Sequence, residues 1–74
     1  MFAVSLDRVT GVSTHGKYFY GGRMLSTKHG TMQEAKERVA EEFKAGYFNH
    51  ATIWDQAEKT GVERFIGQDW TAER

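Results

Sequence analysis

Seventy-four residues make one small domain, too short for a second core and with no room for a large enzyme cleft. Hydrophobic residues at 39% and aromatics at 14% suffice for a compact core and exclude a disordered chain, while ten cations against ten anions exclude a polycationic nucleic-acid binder and an acidic DNA mimic. Cysteine is absent, which removes disulfides, thiol nucleophiles and thiolate metal sites; so small a domain without staples is expected in the cytoplasm.

The apolar start ahead of Asp7 and Arg8 is too short for a signal-peptide core or a membrane span. Phe2, Val4 and Leu6 fall on one face and Ala3, Ser5 and Asp7 on the other, the period of a half-buried strand. A turn follows from Thr10 to Gly16, after which Lys17-Tyr18-Phe19-Tyr20 returns to strand propensity and Met24-Leu25-Ser26-Thr27 extends it past a bulge at Gly21-Gly22. The first third therefore reads as a hairpin with an irregular second arm.

Thr31-Met32-Gln33-Glu34 has capping-box spacing, so a helix is expected to start at Met32. Met32, Ala35, Val39 and Phe43 form its apolar stripe, Glu34 and Arg38 an i,i+4 pair, and Gly46 its left-handed cap. Beyond it, Ala51–Trp54 and Val62–Ile66 read as a second hairpin joined by Asp55–Gly61, with Gly61 taking positive φ at the end of the loop. The expected architecture is α+β: a four-stranded antiparallel sheet with one helix packed on one face, in the order β-β-α-β-β, spanning residues 1–74 as one domain with a short tail over 68–74.

No constellation in this chain points to catalysis. His15, His29 and His50 match no zinc spacing and read as surface or turn residues; the aspartates and helical glutamates read as caps and solvated groups; serines and threonines show no nucleophile elbow. Gly21-Gly22-Arg23 fits neither a dinucleotide nor a phosphate loop. Neither a metal nor a cofactor is implied, and an enzyme would need an active site built across a dimer.

Charge is uneven along the chain. Residues 1–30 hold Arg8, Lys17, Arg23 and Lys28 against Asp7 alone, and the remainder is net acidic. This basic hairpin carries Tyr18, Phe19 and Tyr20, a combination able to stack bases and contact phosphates, or simply to pack across strands. Trp54 next to Ile53 must face outward if Ile53 is core, and the reverse holds if Trp54 is core. With Tyr47, Phe48 and Trp70 the aromatic surface exceeds what one helix and one sheet readily hide, favouring a protein interface or a homodimer.

Small size and a strand–helix–hairpin plan make the chain similar to some anti-CRISPR proteins of phages and mobile elements that inhibit type I surveillance complexes. That resemblance implies a small rigid domain that occludes a protein surface without doing chemistry, in the bacterial cytoplasm. The leading expectation is thus a non-enzymatic protein-binding module whose partner is a surveillance-complex subunit, contacted through Lys17, Tyr18, Tyr20, Arg23, Lys28, His29, Trp54 and Trp70. A nucleic-acid-binding protein using the same basic aromatic hairpin is the alternative.

Overall fold

The computed structural model describes residues 1–73, with side chains through Thr71. It is α+β, with strands β1 (Phe2–Asp7), β2 (Val9–Val12), β3 (Tyr18–Tyr20) and β4 (Leu25–His29), helix α1 (Met32–Ala45), then β5 (His50–Asp55), β6 (Thr60–Phe65) and β7 (Thr71–Glu73). One antiparallel sheet runs β4-β1-β5-β6-β7, and β2 and β3 form a separate two-stranded arm.

The expected β-β-α-β-β order is therefore corrected to four strands before the helix and three after it. Val9–Val12 is a strand, not part of a turn, and Tyr18–Tyr20 pairs with it rather than with β1. The turn itself is shorter, because the Ser13 hydroxyl accepts the amides of His15 and Lys17 and the Ser13 carbonyl accepts that of Gly16. A register shift between Val9 and Gly11 bulges this arm, which is why its alternation is hard to read. Leu25–His29 is the strand that pairs with β1. In the expected tail, Thr71–Glu73 adds a strand beside β6, and residue 74 lies outside the described residues.

Helix α1 follows its sequence signals. Thr31 caps it by accepting the Glu34 amide at 3.1 Å, and Gly46, at φ 87°, returns its N–H to the Phe43 carbonyl. The expected Glu34–Arg38 pair is replaced by Arg38 with Glu42 at 3.0 Å. Another departure is in the β5–β6 turn, where Lys59 takes the positive φ of 56° and Gly61 lies within β6.

The helix covers one face of the sheet. Ala35, Val39 and Phe43 bury against Val4, Leu6, Ala51 and Ile53, with Phe2, Leu25, Met32, Val62 and Trp70 packed around them. Strand register puts Val4, Ile53 and Val62 in one cross-strand row on that face. The opposite face carries Ser26, Ser5, Thr52, Glu63 and Thr71 in one row and Ala3, Trp54 and Gly61 in another. Among the described residues no helix is long and apolar enough to cross a membrane.

Ile53 is fully buried while its neighbour Trp54 is 45% exposed, which resolves the open choice at this pair: Ile53 is core and Trp54 faces out. Ile53→Ala is expected to cost about 3 kcal/mol by leaving a cavity, and Trp54→Ala less than about 1 kcal/mol. Denaturant unfolding of the two variants checks this, and equal or inverted losses would contradict the face assignment.

Candidate functional site

The most concentrated ionisable chemistry lies where β1, β5 and β6 meet on the face away from the helix. Register sets Asp7 opposite His50 and His50 opposite Phe65, with Glu63 on the same side. His50 Nδ1 lies 2.7 Å from Asp7 Oδ1 and Nε2 lies 2.8 Å from Glu63 Oε2. Each ring nitrogen thus faces one carboxylate oxygen, and which of them donates follows the ring's tautomer. Tyr18 packs edge-on to the ring at 5.3 Å and Phe65 lies tilted at 4.6 Å, closing an aromatic cover over the imidazole.

His50 is thus a buried residue, 2% exposed, and not the surface or turn histidine expected; Asp7, at 5%, is likewise buried rather than a solvated turn group. The two carboxylates lie at opposite ring nitrogens and do not converge on a point where a metal or substrate atom would sit. Among the described residues every buried side-chain nitrogen and oxygen has a hydrogen-bond partner, so this cluster offers no idle base or nucleophile. Its geometry is that of a clasp joining β1, β5 and β6, on which the Tyr18 ring packs from the arm.

A second attachment lies one residue earlier. The Asn49 side chain accepts the Val9 N–H at 2.7 Å and donates to the Val9 carbonyl at 2.8 Å, standing in for a strand neighbour just where β1 has ended. The arm then returns through Gly21, whose amide bonds the Arg8 carbonyl at 2.9 Å. At Gly22, φ is +79° and a Cβ would collide with the Tyr47 hydroxyl, so only glycine lets the loop lie against that ring. The next amide, Arg23 N–H, donates to Tyr47 Oη at 3.1 Å.

Along β3, the loop and the segment after α1 runs a strip of exposed large side chains, with Phe19 and Tyr20 on opposite faces of the arm. Phe19 is 56% exposed, Tyr20 52%, Met24 61% and Tyr47 41%, with Arg23 among them. Tyr47 is itself braced, edge-on to Phe48 at 4.9 Å and under the Arg8 guanidinium at 5.8 Å.

The eight residues singled out from sequence do not gather into one patch. Tyr18, Tyr20 and Arg23 belong to the arm and its loop, and Lys17 sits at the arm's turn. Lys28 and Trp54 lie on the open sheet face. His29 bonds Thr27 Oγ1 at 2.9 Å on the helix side. Trp70 is half-buried against the core, with the Lys36 ammonium 5.7 Å from its ring centroid. Sequence reasoning passed over Met24 as an exposed group and missed Asn49 altogether; the one cue to Asn49 was an amide side chain placed immediately before a strand.

Comparison with protein-family models, curated proteins and solved structures finds no match to the chain.

The clasp generates a ranked expectation for stability. The Asp7 side chain is 7% exposed and that of Glu63 25%. Removing the more buried anion by Asp7→Ala is expected to cost about 3 kcal/mol or more, and Glu63→Ala about 1 kcal/mol. Urea titrations of both variants test the ranking, and equal costs would show that burial does not govern the cluster.

Proposed function

We propose that the chain is a non-enzymatic protein-binding module and that the strip from Phe19 to Met24, continued by Tyr47, is its contact surface. The single observation carrying this reading is the strip itself: large side chains left exposed along β3, a hydrogen-bonded loop and a braced tyrosine, apart from the Asp7–His50–Glu63 cluster. Aromatic groups with a neighbouring arginine are the composition of interface anchors, and a preformed surface loses little entropy on docking.

The specific form proposed is an anti-CRISPR inhibitor that occludes a subunit of a type I surveillance complex, supported by the small single domain and by the lack, among the described residues, of a cluster able to hold a metal ion. Against a nucleic-acid partner weighs the dispersal of the cations. Arg8 is engaged over Tyr47, Lys17 sits at the arm's turn, and Lys28 lies on the far edge strand, so no basic groove is lined by the aromatics.

A tagged copy expressed in bacteria carrying a type I system is expected to recover a surveillance-complex subunit in a form that survives nuclease. Phe19→Ala and Arg23→Ala should each lower that recovery by about tenfold or more, and Trp54→Ala, on the open sheet face, should leave it unchanged. Nuclease-sensitive recovery would replace this reading with nucleic-acid binding. Recovery insensitive to Phe19 and Arg23 would remove the strip as the contact surface.

A further inference from the structure

Within the strip lies a cleft of about 330 Å³, lined by Arg23, Leu25, Glu42, Tyr47 and Phe48. Its base is apolar: Phe48 is 6% exposed and Leu25 half-buried, both packed against the hydrophobic core. One wall is the Tyr47 ring, fixed by its bond to the Arg23 amide, its edge contact with Phe48 and the guanidinium of Arg8. Glu42 is already held by Arg38 at 3.0 Å. The Arg23 guanidinium, by contrast, enters no hydrogen bond, ion pair or ring contact with any described residue.

Size and charge together define what fits. A volume near the lower end of ligand pockets takes one ring or branched side chain rather than a cofactor, and the cleft is open on one side, as suits an occupant projecting from a larger body. The occupant meets carbon at the base and, at the rim, the Arg23 guanidinium beside a Glu42 carboxylate that Arg38 already holds. An arginine fork pairs best with a carboxylate, whereas a second cation there would be repelled.

We propose that this cleft is the anchor pocket of the contact surface and that its partner presents a large apolar side chain followed by an acidic residue, whose carboxylate pairs with Arg23. The proposal rests on the protein-binding reading above and adds the chemistry of the partner segment.

The test uses blocked dipeptides as probes on the full chain. Titration of ¹⁵N-labelled protein with acetyl-Phe-Asp-amide is expected to shift amide resonances of Arg23, Leu25, Glu42, Tyr47 and Phe48, with binding at least about fivefold tighter than acetyl-Phe-Lys-amide or acetyl-Ala-Asp-amide. Arg23→Glu should invert the preference toward acetyl-Phe-Lys-amide, and Arg23→Gln should abolish it without inversion; both keep the backbone bond to Tyr47, and their melting curves check that they remain folded. Equal affinities for the three probes, or shifts confined to other residues, would overturn the proposal. If the dipeptides behave as expected but no surveillance-complex subunit is recovered, the pocket stands and the choice of partner falls. If recovery is unchanged in Arg23→Glu, the anchor pocket falls while the binding module stands.

Discussion

Asn49, immediately before β5, ties the β2–β3 arm to the sheet through its side chain, and His50, the first residue of β5, is the surface on which the arm's Tyr18 packs. The Asn49 amide pairs both polar groups of the Val9 backbone, while its own N–H donates to the Asp7 carbonyl at 3.2 Å and its carbonyl accepts the Ile66 amide at 2.9 Å. His50 bridges Asp7 and Glu63 directly beside it. Each hydrogen bond adds only about 1 kcal/mol net, but leaving any of these sheltered groups unpaired costs more, so the set acts as a unit. The arm itself has no ladder partner in the main sheet.

From that attachment the outer surface follows step by step. A docked arm brings Gly21 back to the Arg8 carbonyl, Gly22 then lies against Tyr47, and the Arg23 amide closes onto the tyrosine hydroxyl. The same Tyr47 is one wall of the cleft, whose base is core residue Phe48. Surface and core are thus coupled: the exposed strip rests on an arm held by Asn49, and the buried imidazole is the surface on which that arm packs. Tyr18 covers His50 with one side of the arm, while its strand neighbour Phe19 projects from the other and is 56% exposed.

Much of the fold was legible because it is local. The helix is bounded by Thr31 and Gly46, whose capping chemistry acts within a few residues, and alternation in Phe2–Leu6 correctly separated the core face from the polar one. What was not legible depends on contacts distant in sequence. Val9–Val12 is short, bulged and interrupted by Gly11, so its strand character comes from Tyr18–Tyr20 and from Asn49, forty residues on from Val9. The clasp was hidden for the same reason. Asp7, His50 and Glu63 are ordinary polar residues until the β1–β5 and β5–β6 registers bring them together. At the candidate site, Tyr20 and Arg23 were legible as aromatic and basic groups in one stretch; Tyr47 joined them only through a hydrogen bond spanning 24 residues.

Hydrogen exchange in Asn49→Ala tests the dependence of the arm on its clasp most directly. Amides of Val9–Tyr20 and the Gly21–Arg23 loop are expected to lose protection, while those of β1, β5 and α1 keep theirs, because the core packs without the arm. Unchanged protection in the arm, or an equal loss throughout the domain, would show that the arm is not held as a separate unit by Asn49 and would contradict the account.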